Sequence, residues 1–304
     1  MNKKIALVTG ATGFVGSHLV KRLINEKYTV HVLVRESSDT SKIKDVLPKV
    51  YVHIVSLEDK QKLTESVSKI KPAYIFHLAT NGLFSGIEKP FKEILKTNVL
   101  GTINLIEACN NIPYKCFVNT GSSSEYGEKE KIMTETDVCF PQSSYALSKL
   151  TATLFCVKTA KENKKPIVTL RLFSPFGAND DNRRLIPYVI QNAKENKPIS
   201  LSSPDSVRDY IYIKDVVDAY LACIKNAKKI SGEIINIGSG KEYSIKEIVA
   251  AITSLTNSKS KIAWNSNKNK RFESTHWQAN IRKAKKLLDW TPKYSFKQGL
   301  KEIM

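Results

Sequence analysis

The stretch Val8-Thr9-Gly10-Ala11-Thr12-Gly13-Phe14-Val15-Gly16 joins a short apolar run, Ile5–Thr9, to an amphipathic stretch, Val15–Asn25. The run predicts a buried strand, and the amphipathic stretch predicts a helix. Glycines at such a junction allow a tight turn, close approach of the backbone to a phosphate, and close packing of helix on strand. Because N–H groups at a helix start bind anions, the stretch predicts a pyrophosphate loop. Its Gly-x-x-Gly-x-x-Gly spacing is one residue longer at the first interval than the usual dinucleotide fingerprint.

The alternation of strand and helix continues outward from this loop. The predicted strands are Ile5–Thr9, Val30–Val34, Tyr51–Val55, Tyr74–Leu78, Cys116–Thr120 and Ile167–Leu172, and the helices between them are Val15–Asn25, Leu63–Ile70, Phe91–Cys109 and Tyr145–Lys161. Continuous Val/Ile/Leu-rich strands that alternate with helices predict an α/β fold with a doubly wound parallel sheet. The second half is less regular, and we expect it to form a smaller C-terminal α/β lobe packed on the sheet.

The composition excludes several classes of protein. The chain has 304 residues, 41% of them hydrophobic and 25% charged, with a formal net charge of +19. No apolar run reaches the ~18 residues of a membrane span, so we expect a cytoplasmic protein that does not bind membranes. Five cysteines without a Cys-x-x-Cys pair and five histidines without a His-x-x-x-His pair predict no metal site. The scattered lysines indicate a solvated surface, and nucleic-acid binding is the less favoured interpretation.

The end of the second strand selects the cofactor. An acidic residue there binds ribose hydroxyls, whereas an arginine accepts a 2′-phosphate. Here the strand ends in Arg35, followed by Glu36 and Ser37. Arg35 with Ser37 favours NADP(H), while Glu36 leaves NAD(H) open.

A second motif, Tyr145-Ala-Leu-Ser-Lys149, predicts general acid–base chemistry. Residues four apart lie on one helix face, and a nearby ammonium lowers the pKa of a phenol. We therefore expect Lys149 to make Tyr145 a usable acid or base near neutral pH. Upstream, Thr120 runs into Gly121-Ser122-Ser123-Ser124-Glu125-Tyr126-Gly127, which places hydroxyls at the carboxyl end of a parallel strand, where ligands of such sheets bind.

Together these motifs resemble those of extended short-chain dehydrogenases/reductases, and more narrowly the NAD(P)-dependent sugar-nucleotide epimerase/dehydratase family. The resemblance rests on Thr9–Gly16, His77-Leu-Ala-Thr80, Asn98, Ser122 to Gly127 and the Tyr145/Lys149 pair, and it continues through Arg171 to Gly177, Arg208 to Val217, Asn236 to Gly240 and Lys283 to Pro292. It implies a Rossmann-type domain over 1–172, to which 209–236 returns, and a nucleotide-sugar-binding lobe over 173–208 and 237–304. It also implies a homodimer that pairs the helices Phe91–Cys109 and Tyr145–Lys161.

The resemblance assigns roles to individual residues. It implies that Tyr145 transfers a proton at the sugar C4 oxygen, that Ser122 hydrogen-bonds that oxygen, and that Lys149 also holds the nicotinamide ribose. The implied cofactor-binding residues are Gly10, Thr12, Gly13, Phe14, Val15, Gly16, Arg35, Ser37, Ser56, Leu57, Leu78, Ala79, Asn98, Thr120, Tyr145 and Lys149. The implied substrate-binding residues are Thr80, Asn81, Ser122, Ser123, Ser124, Ser174, Arg184, Arg208 and Arg271, with Arg208 as the main clamp for the diphosphate.

Three reactions share this scaffold in the family. The 4,6-dehydratases carry an Asp-Glu pair where this chain has Ser123 and Ser124, so dehydration is disfavoured. Arg35 favours NADPH-dependent reduction of a 4-keto group, and the segments around Arg208 resemble CDP-abequose and CDP-paratose synthases. Two departures are Ser174, where many members have Asn, and Ser56, where an Asp is common. The alternative is an NAD-dependent 4-epimerase, and a remote one is a non-catalytic nucleotide-binding relative.

Overall fold

The computed structural model describes residues 4–82, 89–265 and 274–304. Its strands are β1 (Ile5–Thr9), β2 (Thr29–Val34), β3 (Tyr51–Ile54), β4 (Tyr74–His77), β5 (Cys116–Ser122), β6 (Ile167–Leu172), β7 (Ser174–Phe176), β8 (Ile199–Ser200), β9 (Val207–Arg208), β10 (Tyr210–Tyr212), β11 (Ile234–Ile237), β12 (Tyr243–Ser244) and β13 (Ile262–Ala263). A seven-stranded parallel sheet in the order β11-β6-β5-β4-β1-β2-β3 forms the centre of the molecule. This is the predicted doubly wound, Rossmann-type α/β fold.

The central strands are apolar throughout because they are covered on both faces. In β1, Ala6 and Val8 point into one hydrophobic cluster while Leu7, between them, points into another, and all three are fully buried. The strand therefore reads as an uninterrupted apolar run, as strands of parallel sheets do.

The helices that cover the sheet are α1 (Phe14–Asn25), α2 (Lys60–Ile70), α3 (Phe91–Leu95), α4 (Gly101–Ala108), α5 (Ser144–Glu162), α6 (Leu185–Lys194), α7 (Ile213–Asn226), α8 (Ile245–Thr256), α9 (Arg282–Leu288) and α10 (Phe296–Lys301). Side-chain caps explain where several of them begin. Helix α2 starts at Lys60 rather than at the predicted Leu63, because the Asp59 carboxylate accepts from the backbone N–H of Lys62. Helix α5 starts after Ser143, whose hydroxyl accepts from the N–H of Ala146.

The predicted helix Phe91–Cys109 is interrupted by a π-helical turn, Lys96–Leu100, between α3 and α4. The N–H of Gly101 donates to the carbonyl of Lys96, five residues earlier, and the Thr102 hydroxyl donates to the carbonyl of Asn98. Apolar periodicity does not distinguish this wider turn from an ordinary one. Its consequence is local: Asn98 is turned inward and buried.

The second half of the chain packs on the sheet through small paired strands. β7 pairs with β10 and β8 with β13 in parallel, and β9 pairs with β12 antiparallel. One hydrophobic cluster runs continuously from Ala6 in β1 to Leu300 in α10, and β11 returns to the sheet beside β6. The division into a dinucleotide lobe and a sugar lobe stays a prediction.

The carboxyl ends of the strands open into a cavity of about 850 Å³. The strand order reverses between β1 and β4, and residues that follow both strands, Gly10 and Leu78, line this cavity. Ligands of open α/β sheets bind at such a reversal. Across the part of the chain that the structure describes, no helix has the length and apolarity that a membrane span requires.

Candidate active site

The turn between β1 and α1 forms a cradle of backbone N–H groups. Gly10 has a φ of +69°, and the N–H of Gly13 donates to the Gly10 carbonyl at 3.0 Å. Helix α1 begins at Phe14 without a side-chain cap among the described residues, and its first turn lines the cavity. A Cβ on Gly16 would lie 2.1 Å from the Gly10 oxygen, so helix and turn are packed backbone to backbone. A helix start exposed in this way fits a pyrophosphate.

All but one of the predicted cofactor residues line this cavity. They are Gly10, Thr12, Gly13, Phe14, Val15, Gly16, Arg35, Ser37, Ser56, Leu57, Leu78, Ala79, Thr120, Tyr145 and Lys149. At the far end, Arg35 is exposed, and its backbone N–H donates to the Ser38 hydroxyl at 2.9 Å, which closes the turn after β2. Lys42 also lines this end, whereas Glu36 is not among the lining residues.

Asn98 and Asn81 lie beside the residues that line the cavity, and their role as contact residues stays a prediction. The Asn98 amide accepts from the N–H of Asn81 and donates to the Asn81 carbonyl and the Ser148 hydroxyl, all within 2.9 Å. Both asparagines are buried and neither is among the lining residues. The π turn at Asn98 therefore connects the loop after β4 to helix α5, and its amide holds the wall in place.

Tyr145 and Ser122 meet inside the cavity. The Tyr145 phenol hydrogen-bonds with the side chains of Ser122 and Thr80. Burial raises the pKa of Tyr145, which the two hydrogen bonds and the Arg184 charge partly offset. The phenol is therefore held in its protonated form, as a proton donor requires.

Lys149 lies one helical turn after Tyr145, and its Nζ donates to the carbonyl of Thr120 at 2.8 Å. Burial lowers the pKa of Lys149 to about 8, while the Glu125 charge opposes that shift. Burial raises the pKa of Tyr145, and Arg184 is the cation whose charge offsets this most. A lowering of that pKa by Lys149 stays a prediction. The sequence spacing gives the shared helix face but not the direction in which the ammonium points.

At the end of β5 and in the turn that follows it, three serines face the cavity, whereas one carboxylate does not line it. Ser122, Ser123 and Ser124 line the cavity. The Ser122 hydroxyl accepts from the Ser124 N–H at 3.2 Å, and the Ser123 hydroxyl accepts from Trp277 Nε1 at 3.1 Å. Glu125 is fully buried and is not among the lining residues. Positions 123 to 125 therefore place no carboxylate in the cavity.

Three of the predicted substrate-binding residues, Thr80, Ser174 and Arg184, also line the cavity. Arg184 is held by Asp180, whose Oδ1 accepts from Nη1 at 3.1 Å. Asp180 is 3% exposed, so this pair anchors the arginine at the cavity wall.

The assignment of Arg208 as the main diphosphate clamp stays a prediction, and in this structure its side chain packs against Trp277. Its guanidinium carbon lies 4.7 Å from the ring centroid of Trp277, its Nη1 donates to the Val207 carbonyl, and it is not among the lining residues. Arg271 lies outside the described residues.

Sequence reasoning missed Lys42, Asp180 and Trp277. Lys42 lies in the 3-10 helix Ser41–Lys49 and Asp180 lies in a loop, and the fold brings both to the same cavity. Trp277 reaches Ser123 across 154 positions of sequence. The four-residue spacing of Asp180 and Arg184 was an available signal for their pairing, whereas nothing near Trp277 in the sequence indicates its contact.

Comparison with known proteins identifies the family. The model of the NAD dependent epimerase/dehydratase family matches residues 6–238. CDP-abequose synthase from Salmonella muenchen is 30% identical over all of this chain and 98% of its own length. dTDP-4-dehydro-6-deoxyglucose reductase from Escherichia coli is 27% identical over 99% of this chain and 97% of its own. The structure is also similar, with a TM-score of 0.87, to UDP-glucuronic acid 4-epimerase from Bacillus cereus in complex with UDP-glucuronic acid and NAD, which is 28% identical over 98% of this chain and 97% of that one.

The family match covers more than half of the chain, and the relatives align over nearly all of it. The cradle between β1 and α1 and the Ser122, Tyr145 and Lys149 side chains lie in one cavity, as dinucleotide-dependent chemistry requires. The chain belongs to the NAD dependent epimerase/dehydratase family and is an NAD(P)-dependent enzyme that modifies nucleotide-sugars.

Proposed function

We propose that the protein reduces the C4 keto group of a nucleotide-activated deoxysugar, CDP-, GDP- or dTDP-linked, with NADPH as the hydride donor, in the biosynthesis of surface-polysaccharide sugars. The observation that carries this proposal is the chemistry of the turn after β5. It supplies the Ser122 hydroxyl to the Tyr145 phenol, but no carboxylate to work on C5 and C6, because positions 123 and 124 are serines and Glu125 is buried. Two relatives support this proposal: one is a dTDP-4-dehydro-6-deoxyglucose reductase, and the other is a CDP-abequose synthase.

The residues present fit a dinucleotide. The cradle at Gly10 and Gly16 has no room for a Cβ, and the helix start above it presents backbone N–H groups. Arg35 and Lys42 stand at the far end of the cavity, beside Ser37. A guanidinium with neighbouring hydroxyls accepts a phosphate, so we propose that this end holds the 2′-phosphate of NADP(H).

When bound in this cavity, NADPH would supply the hydride that C4 of the sugar takes up in the proposed reaction. The Tyr145 phenol donates its proton to the C4 oxygen, so that the keto group becomes an alcohol. Ser122 donates a hydrogen bond to the same oxygen as it gains negative charge. Lys149, held at the Thr120 carbonyl, places a positive charge in the buried site where the phenolate forms. Phe173 and Pro175 line the same cavity and suit the apolar parts of a deoxysugar.

The second candidate is an NAD-dependent 4-epimerase. It is favoured by the similarity to the Bacillus cereus 4-epimerase, whose complex contains NAD. Tyr145 would then act first as base and afterwards as acid at the C4 oxygen, with Ser122 hydrogen-bonded to that oxygen throughout. The two candidates differ in the cofactor, because an epimerase keeps its NAD and a reductase consumes NADPH.

We also infer that two copies of the chain assemble through α3, α5 and the π turn. Phe91, Leu100, Leu147 and Leu154 on these helical segments are each between 44% and 55% exposed. Large apolar side chains left exposed on neighbouring helices form a patch that a symmetric partner would cover.

The test of the proposed function follows NADPH absorbance with CDP-, GDP- and dTDP-linked 4-keto sugars. Tyr145→Phe removes the proton donor and should lower turnover by ~100-fold or more while binding survives. Tyr114→Phe is the matched control, because the Tyr114 hydroxyl is buried with no hydrogen-bond partner among the described residues and lies away from the cavity. Equal turnover in both variants would contradict the assignment of Tyr145.

A further inference from the structure

Glu125 is a buried carboxylate behind the site that the proposed reaction does not use. Its Oε1 accepts from the Ser122 backbone N–H at 2.8 Å and from the Thr153 hydroxyl at 3.1 Å, and its Oε2 accepts from Arg171 Nε at 2.8 Å. A Cβ on Gly121 would lie 2.7 Å from the same Oε1, so the strand end packs directly on the carboxylate. Glu125 therefore joins the turn that carries Ser122, helix α5 and strand β6.

We propose that Glu125 is a positioning residue for the reacting groups: it fixes the backbone of Ser122 against Tyr145, and its buried negative charge keeps the Lys149 ammonium charged. The predicted effect on turnover rests on the proposed function. The effect on Lys149 itself does not, because it is measured without substrate.

The geometry accounts for the first half of the proposal. Ser122 has to present its hydroxyl to the Tyr145 phenol, and its own backbone N–H is held by Glu125. Thr153 lies on the helix that carries Tyr145, and its hydroxyl donates to the same carboxylate oxygen. One oxygen atom thus sets the spacing between the two elements that carry the proton donor and its hydrogen-bond partner.

Electrostatics accounts for the second half. Burial lowers the pKa of Lys149, and the Glu125 charge raises it. The other titratable groups that interact with Lys149 are neutral near pH 7: burial raises the pKa of Cys156 to about 12 and lowers that of His77 to about 3. Thr153, one helical turn after Lys149 on α5, donates to Glu125 at 3.1 Å, so the carboxylate lies against the part of the helix that carries Lys149. The same carboxylate pairs with the Arg171 guanidinium at 2.8 Å. Among the described residues, Glu125 raises the pKa of Lys149 most, and Cys156 adds a smaller effect in the same direction.

The test is an NMR titration of Lys149 in the full chain labelled with 13C at the lysine ε-carbons, the resonance being assigned by its absence in Lys149→Arg. Glu125→Gln retains the shape and an oxygen for the Ser122 N–H but removes the charge. We expect the Lys149 midpoint, near 8 in the unmodified protein, to fall by about one unit or more, the usual effect of a nearby charge. Asp215→Asn is the control: Asp215 is equally buried but binds the N–H groups of Lys293 and Tyr294, and its loss should leave the midpoint unchanged.

The double variant Glu125→Gln/Arg171→Met removes both charges, so it distinguishes the effect of losing the Glu125 charge on the Lys149 midpoint from the effect of an unpaired Arg171. It also provides the measurement if the single variant does not fold. We expect its Lys149 midpoint to lie below that of the unmodified protein. A midpoint that returns to the unmodified value would show that the unpaired Arg171 caused the shift, and it would overturn the proposal. An unchanged midpoint in Glu125→Gln would overturn it as well.

A kinetic readout distinguishes this inference from the proposed function. With a 4-keto sugar that the protein reduces, Glu125→Gln should lower kcat with little change in KM and move the alkaline limb of the pH profile to lower pH. The direction follows because the Glu125 charge raises the pKa of both Lys149 and Tyr145. A fall of the NMR midpoint without reduction of any 4-keto sugar would support the role of Glu125 and contradict the proposed function.

Discussion

Gly16→Ala tests whether contact between the backbones of turn and helix creates the anion cradle. An added Cβ would lie 2.1 Å from the Gly10 oxygen and 2.8 Å from the Gly10 carbonyl carbon, both backbone atoms. Relief requires the turn and helix α1 to separate by roughly 1 Å in a close-packed interior. Such overpacking costs about 1–3 kcal/mol of the free energy of unfolding. With about 2.1 cal/mol/K of unfolding entropy per residue, this lowers the Tm by about 2–5 °C in a chain of 304 residues.

The same separation moves the N–H groups that we propose to bind the pyrophosphate. Losing one charge-assisted hydrogen bond costs about 1.5–3 kcal/mol, so NADPH should bind about 10- to 100-fold more weakly by calorimetry. Gly13→Ala is the matched control for stability, because its Cβ would meet only the Gly10 oxygen, at 3.2 Å. It should leave the Tm within ~1 °C and weaken NADPH only through the space that its methyl group takes. A Gly16→Ala protein with unchanged Tm and NADPH affinity would refute the reasoning.

Three further predictions follow from the site and the helix surface. Arg35→Ala should erase most of a preference for NADPH over NADH, and equal affinities of the unmodified protein for the two cofactors, measured by titration, would contradict the proposed 2′-phosphate site. Turnover should fall as the pH rises through about 8, because burial lowers the pKa of Lys149 to that value and the reaction uses its charged form; a rate constant that is flat from pH 7 to 10 would exclude this role. Light scattering should report twice the chain mass of 34.2 kDa, and Leu154→Glu, which places a charge on the exposed face of α5, should shift the particle towards one chain; a monomer before mutation would count against the dimer.

The sheet was predictable because each of its strands has a local signature. Ile5–Thr9 is a nearly continuous apolar run. The glycines that follow it allow the turn and the next helix to pack backbone to backbone. Two-residue pairings such as β9 with β12 have no such signature, since they depend on segments that are distant in sequence.

The site was predictable in its residue types and less so in its contacts. Tyr145 and Lys149 lie on one helix face because of their spacing, but only the fold shows that Lys149 points to the Thr120 carbonyl. The contact of Arg208 with the ring of Trp277 could not be predicted, because the two residues are far apart in sequence. The sequence places Glu125 one position after the two serines, but its pairing with Arg171 depends on the neighbouring strand β6 and could not be predicted locally.

Homologous reactions on this scaffold differ by few side chains, which is why the turn after β5 carries so much of the argument. Because positions 123 and 124 are serines, no carboxylate lies next to Ser122 in the cavity. The Ser123 hydroxyl accepts a hydrogen bond from the Trp277 indole. A dehydratase would need an acid and a base where these serines stand. Reduction and epimerisation need neither, because the Tyr145 phenol serves both.

The most direct measurement of the central claim is the transfer of deuterium from NADPH labelled at the transferable position of its nicotinamide ring. With a CDP-, GDP- or dTDP-linked 4-keto deoxysugar, the account predicts one deuterium at C4 of the product, one NADP⁺ formed for each sugar reduced, and loss of both in Tyr145→Phe. Conversion of a UDP-hexose to its C4 epimer without added cofactor, with no deuterium transferred to any 4-keto sugar, would contradict reduction and leave the epimerase in its place.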